Sequence, residues 1–147
     1  MRFCGTAMWG IATDYSWPMA PRTPAEHRRS ARRLALFLAG SGVLHFAVPK
    51  FYDPMIPSEL PGSARTWVLG SGVAELAVGA AVALPRTRRR GALAAFALFI
   101  GVFPGNVKML LDARAKPEPA PVQAALVARL PLQLPMLVWA LRVRRHA

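Results

Sequence analysis

Four long apolar runs constrain the fold of this 147-residue chain more than any other feature of its sequence. A helix needs about 20 apolar residues to cross the roughly 30 Å hydrocarbon layer of a membrane, and helices in soluble cores are typically shorter. The runs occupy residues 33–48, 66–84, 91–111 and 121–141. They leave too little of the chain for a separate soluble domain. We therefore predict an all-α integral membrane protein, a four-helix bundle with helices over about residues 30–48, 66–84, 91–111 and 121–141.

The formal net charge of +12 is unevenly distributed along the chain. Basic residues concentrate before the first run, between the second and third, and after the fourth, whereas the other two junctions mix both signs. Under the positive-inside rule, a chain with four spans should have basic residues at every second junction, as this one does. We therefore predict a multi-pass protein of the bacterial inner (cell) membrane with both termini cytoplasmic. The distribution favours the lipid bilayer over nucleic acid as the partner of these charges.

The residues outside the spans allow further predictions. Residues 1–27 lack the apolar core of a secretory signal and contain three prolines, so we expect a disordered cytoplasmic tail before a transmembrane domain over residues 28–147. The Thr23-Pro24-Ala25-Glu26 segment is typical of a helix start, with Thr23 as the N-cap. The single cysteine, Cys4, excludes an intramolecular disulfide.

Two proline-containing segments lie near the predicted outer surface. Residues 49–65 carry four prolines among aromatic and aliphatic side chains, which indicates either an ordered loop over the bundle mouth or a loose interfacial anchor. Phe103-Pro104-Gly105-Asn106 should interrupt the third helix, because proline lacks the N–H group that a helix needs.

Glu75 and Arg129 are each the only charged residue in an apolar run. A formal charge within hydrocarbon costs at least about 2.5 kcal/mol, and such residues usually face a bundle interior and mark function. Counting about 1.5 Å of rise per residue places both roughly 12–14 Å below the outer surface, so we expect a salt bridge. Glu75 shares one helix face with the small residues Ser71, Gly72 and Gly79, which favours a packed interface.

Three further polar side chains, His45, Asn106 and Gln133, fall in the middle or outer half of the predicted membrane region. Together with Glu75 and Arg129 they form the candidate ligand-binding site. One interpretation is structural, with the charged pair fixing helix register and the amides acting as interhelical hydrogen-bond donors and acceptors. The other is a polar cavity that binds a small polar or amphipathic molecule. One histidine and one glutamate do not make a recognised metal site, so we expect no metal.

The order of short motifs resembles the DoxX-like family of small four-helix bacterial membrane proteins over roughly residues 30–145. The motifs are His45-Phe46 with Pro49, Ile56-Pro57, Ser71-Gly72-Val73 with Glu75, Phe103-Pro104 with Asn106, and Arg129 followed by Pro131-Leu132-Gln133. The resemblance implies a four-helix membrane fold. It also implies an association with quinone-linked or membrane-bound oxidoreductases or, in animal relatives, with receptor assembly.

Two functions follow as expectations. The first is an accessory subunit that binds a small lipophilic molecule, with quinone as the candidate ligand, beside a membrane redox partner or as a homo-oligomer. The alternative is a non-catalytic scaffold or assembly factor whose buried charges are structural. The sequence contains no cofactor motif and leaves open whether any reaction is catalysed.

Overall fold

The structure, a computed structural model, describes residues 23–57, 60–115 and 119–147, and these form helices and their connections without a strand. The elements are α1 (Pro24–Ala47), α2 (Pro49–Tyr52), a 3₁₀ turn (Asp53–Met55), α3 (Ala64–Ala83), α4 (Arg88–Gly101), α5 (Phe103–Ala115) and α6 (Ala120–Arg145). Residues 1–22 of the predicted tail lie outside the described residues.

Three helical segments are long and apolar enough to cross a membrane: Ala64–Ala83, Arg88–Ala115 and Leu126–Arg145. The first helix reaches that standard only when α1 is counted together with Pro49–Met55, and the two parts are bent by 99°. Arginines in the first half of α1 shorten its apolar part. The chain is thus a helical protein with three candidate membrane spans, or four if the bent pair is one span.

The predicted local signals at helix ends are present. The Thr23 hydroxyl accepts from the backbone N–H of Glu26 at 3.3 Å, and the Glu26 carboxylate accepts from the backbone N–H of Thr23 at 2.6 Å. This reciprocal pair satisfies donors that a helix start leaves unpaired. The third apolar run breaks at Val102, between α4 and α5, next to Pro104. The predicted interruption is therefore confirmed.

The long helices pack side by side in the order α1, α3, α4, α6, and α5 continues α4 against α6. Their shared core contains Leu34, Leu38, Val82 and Phe99. Contact between α1 and α6 is slight, and α3 and α6 make no substantial contact in the described parts of the chain. The α3 helix is therefore separated from α6 by α4.

The arginine-rich segments share one end of the molecule. Close approaches of Gly42 to Gly72 and of Ala35 to Gly79 show that α1 and α3 are antiparallel. The rings of His27 and His146 stack at 3.9 Å, which joins the start of α1 to the end of α6. We call this the basic end and the opposite one the loop end.

The α1–α3 contact depends on glycines. A Cβ at Gly72 would lie 2.8 Å from His45 Cβ, and one at Gly42 would lie 2.9 Å from the Gly72 carbonyl oxygen. Glu75 and Gly79 are buried on the same face of α3. The predicted small-residue face is therefore the α3 surface that packs against α1, as expected where side chains must be small for backbones to approach.

We predict that Gly72→Ala lowers the free energy of unfolding by about 1–3 kcal/mol, because the added Cβ overpacks the α1–α3 contact. The matched control is Gly70→Ala, two residues earlier in α3, where a Cβ meets nothing within 4 Å. Unfolding of the purified variants in detergent, titrated with dodecyl sulfate, measures both. Equal stability of the two variants would contradict the contact.

Candidate functional site

Four polar side chains of the long helices are buried: His45, Glu75, Asn106 and Gln133, each between 5% and 8% exposed. All four belong to the site predicted from sequence. They form two groups rather than one, because α1 and α3 hold the first two and α5 and α6 the others.

The first group is an imidazole facing a carboxylate. His45 Nδ1 donates to the Ser41 carbonyl oxygen at 2.9 Å, which leaves Nε2 as the nitrogen that can take up or release a proton. The same Nδ1 lies 3.4 Å from Glu75 Oε2. That oxygen is buried and makes no hydrogen bond to the described residues. A buried acceptor that makes no hydrogen bond costs about 1–3 kcal/mol.

The loop end is covered by the segment that follows α1. The ring of Tyr52 stacks on the ring of His45 with centroids 4.1 Å apart. Met55 is buried, and its carbonyl oxygen would lie 3.2 Å from a Cβ at Gly105 in α5. The described first part of this loop, residues 49–57, agrees with the ordered alternative, because it is folded over the helix ends.

A bidentate ion pair ties that loop to the start of α3. Arg65 Nε donates to Asp53 Oδ1 at 3.1 Å, and Arg65 Nη2 donates to Asp53 Oδ2 at 2.6 Å. The hydrogen bond from Arg65 lowers the pKa of the Asp53 carboxyl, since it stabilises the charged form. The position of Tyr52 over His45 therefore depends in part on a charged Asp53.

The second group is a chain of neutral hydrogen bonds. Asn106 Nδ2 donates to Gln133 Oε1 at 2.8 Å, and Gln133 Nε2 donates to the Phe99 carbonyl oxygen. Phe99 lies less than two turns before the break at Val102, so the contact joins both sides of the interrupted helix to α6. The geometry is that of interhelical hydrogen bonding, which in membranes is worth about 0.6 kcal/mol on average.

The expected salt bridge between Glu75 and Arg129 is not present: this part of the prediction is wrong. Arg129 is exposed, and among the described residues the partner of Glu75 is His45. Glu75 and Arg129 have similar predicted depths in the membrane, but they do not meet because α4 lies between α3 and α6. The Arg129 guanidinium and the Glu75 carboxylate nevertheless both act electrostatically on the Tyr52 phenol, so Arg129 remains near the loop end.

Tyr52 is not among the site residues predicted from the sequence. The available signal was an aromatic residue three positions after Pro49 and seven positions after His45. The structure also contains a cavity of about 810 Å³ between the α1 and α6 segments near the basic end, and its lining includes none of the site residues. Within the described ranges no group of three or more potential ligands could hold a metal ion.

A family model matches residues 34–144, about three quarters of the chain, and its description is Domain of unknown function (DUF8561). The chain belongs to the DUF8561 family. The matched region contains the whole candidate site, from His45 to Gln133. No curated protein and no solved structure matches the chain. Family membership therefore defines the extent of the domain, residues 34–144, but does not indicate an activity.

A double-mutant cycle on Asn106→Leu and Gln133→Leu should reveal a coupling energy of about 0.5–2 kcal/mol. Each single change leaves the other amide without its buried partner, so the double variant should lose less stability than the sum. The measurement is the free energy of unfolding in detergent. Additive losses would mean that the two side chains do not interact.

Acid should release the loop from the helix ends. Because the pKa of Asp53 is lower in the folded chain than in the unfolded one, the ion pair stabilises the loop fully above the ordinary carboxyl pKa of about 3.9. This stabilisation declines below that pH and is lost as the pH falls through the lowered pKa of the folded chain. Hydrogen exchange of residues 50–56 should therefore be faster in Asp53→Asn than in the wild type at pH 7, and this difference should be smaller at pH 3.

The control for this loop is Asp112→Asn, which removes an ion pair to Lys108 in α5. It should leave exchange of residues 50–56 unchanged at both pH values. A difference between wild type and Asp53→Asn that does not shrink at pH 3 would argue against the ion pair as its cause.

Proposed function

We propose that this chain is a four-helix protein of the bacterial cell membrane with both termini cytoplasmic. The support is the location of its charges. The basic end gathers the arginines around α1, the α3–α4 turn and α6, and Arg89 shares a surface cavity of about 440 Å³ with Arg144 and Arg145. A concentration of arginine at one end of apolar helices is what orients a membrane protein with that end inside.

Within this frame, we propose that the loop end binds a small lipophilic molecule with a polar head, and that the chain serves as an accessory subunit beside a redox partner. One observation carries the proposal: Glu75 Oε2 is buried, makes no hydrogen bond to the described residues and lies 3.4 Å from His45 Nδ1. A ligand hydroxyl that donates to this oxygen would remove the cost of leaving it unpaired.

The chemistry of the surrounding side chains fits a quinone head. Quinone carbonyl oxygens accept hydrogen bonds, and Arg129 is a permanently charged donor near the loop end. His45 can exchange a proton at Nε2. A reduced quinone carries hydroxyl groups, and one of them could donate a hydrogen bond to Glu75. Tyr52 covers His45, so a planar ligand would enter by displacing its ring. The resemblance to DoxX-like proteins, with their link to quinone oxidoreductases, points to the same ligand class.

The second candidate is a scaffold or assembly factor. It is favoured by the Asn106–Gln133–Phe99 hydrogen bonds, which need no ligand to be satisfied, and by the glycine contact of α1 with α3. On this hypothesis, the charges at Glu75 and Arg129 serve only the fold and its placement in the bilayer.

Titration of the purified protein in detergent with a short-chain benzoquinone, and separately with its reduced hydroquinone, tests the first proposal. We expect saturable binding of both forms, and Glu75→Gln should weaken hydroquinone binding at least roughly tenfold, equivalent to about 1.4 kcal/mol, because only the hydroquinone can donate a hydrogen bond to Glu75. Asp112→Asn, a carboxylate removed from an exposed site, is the matched control and should bind as the wild type does.

Arg129→Gln should also weaken benzoquinone binding, with Arg114→Gln as its exposed control. Retained folding is checked by helical circular dichroism. The absence of saturable binding by the wild type, or equal hydroquinone affinities for Glu75→Gln and Asp112→Asn, would contradict the ligand proposal. Normal cellular function of a folded Glu75→Gln, Arg129→Gln double variant would instead support the scaffold.

A further inference from the structure

The cavity of about 810 Å³ lies between the first half of α1 and the second half of α6. It exists because these two helices touch only slightly, through contacts such as the hydrogen bond from Trp139 Nε1 to Ser30 Oγ at 2.9 Å. We call this space the α1–α6 groove. It is separate from the loop-end site, since its walls include none of His45, Glu75 or Asn106.

The mouth of the groove is strongly basic. Arg29 and Arg33 lie one turn apart on α1, and Arg142 lies opposite them on α6. Within the described ranges none of the three forms a salt bridge. One carboxylate, Glu26, also lines the groove, and it accepts the backbone N–H of Thr23. The mouth thus carries three positive charges against one negative charge.

Beyond this mouth, the α6 wall is apolar. Leu132, Met136 and Trp139 line it on successive turns, so it continues from Arg142 toward the middle of the molecule. Ten residues of helix span about 15 Å, half of the roughly 30 Å hydrocarbon layer. The groove therefore combines a cationic opening with an apolar channel about as deep as one leaflet.

We infer that the α1–α6 groove binds an anionic phospholipid of the leaflet that faces the basic end. Arg29, Arg33 and Arg142 hold the phosphate through charge-assisted hydrogen bonds, and an acyl chain packs along Leu132, Met136 and Trp139. Basic pockets between membrane helices on the cytoplasmic side are suited to anionic headgroups. The inference rests on the proposed membrane placement but not on the loop-end ligand.

Other occupants fit the groove less well. Inorganic phosphate would satisfy the arginines but leave the apolar wall uncovered. Residues 1–22 carry Arg2 and Arg22 against a single acid, Asp14, so their charge has the same sign as the mouth. A second copy of the chain would present its own basic end. Only an anionic amphiphile matches both halves of the groove.

Native mass spectrometry of the full-length protein in detergent, with added phosphatidylglycerol or phosphatidylcholine, tests the inference. We expect phosphatidylglycerol adducts in clear excess over phosphatidylcholine adducts. A triple variant of the groove (Arg29→Gln, Arg33→Gln, Arg142→Gln) should reduce phosphatidylglycerol occupancy at least roughly tenfold.

The matched control removes the same charge from the same two helices outside the groove, with Arg28→Gln, Arg32→Gln and Arg145→Gln. It should keep most of the phosphatidylglycerol occupancy. If the groove triple variant does not fold by circular dichroism, the single Arg142→Gln change, at an exposed side chain, replaces it and should lower occupancy by a smaller factor.

Several results would overturn the inference. Equal losses in the groove and control variants would indicate general attraction to a basic surface. Equal adducts of both lipids would show that headgroup charge is not recognised, and displacement by an equal concentration of inorganic phosphate would show a simple anion site. A lipid-free dimer would identify a second copy as the occupant. Benzoquinone affinity, measured on the same variants, should not change and so separates this inference from the loop-end proposal.

Discussion

The close approach of α1 and α3 at Gly42 and Gly72 is the contact on which the loop-end site depends. His45 Cβ lies where a side chain at position 72 would have to be, so the imidazole reaches Glu75 only because that position has none. In a membrane, lipid tails are as apolar as the helices, and association relies on packing of this kind together with interhelical hydrogen bonds. The same contact holds the end of α1 in place, and with it the turn that puts Tyr52 over His45.

Much of the fold could be predicted because its signals are local. Thr23 and Glu26 are three residues apart and cap the helix that they begin. Pro104 lacks a donor wherever it lies, so a break near Val102 follows from its position alone. The buried face of α3 could also be predicted from helical spacing. Gly72, Glu75 and Gly79 lie on one face, and both the small residues and the lone charge favour packing of that face against another helix.

The pairing of Glu75 could not be predicted, because it depends on which helices are neighbours. Counting residues gives the depth of a side chain but not its direction around the bundle. Glu75 and Arg129 have similar predicted depths, yet α4 lies between their helices and the nearest partner of Glu75 is His45. The coverage of His45 by Tyr52 was missed for a related reason, since a 99° bend after α1 turns a proline-rich loop back over the helix ends.

The two ends of the molecule are adapted to different chemistry. Near the loop end, the polar groups between the helices are buried and mostly paired with each other, so one buried oxygen without a hydrogen bond, Glu75 Oε2, is energetically important. At the basic end, the charges are exposed arginines that face an apolar groove, and their number exceeds that of nearby carboxylates. Charge that is not balanced within the protein must be balanced by its surroundings. In a bilayer the abundant anions are lipid phosphates, and the groove between α1 and α6 offers one of them a place for its acyl chain as well.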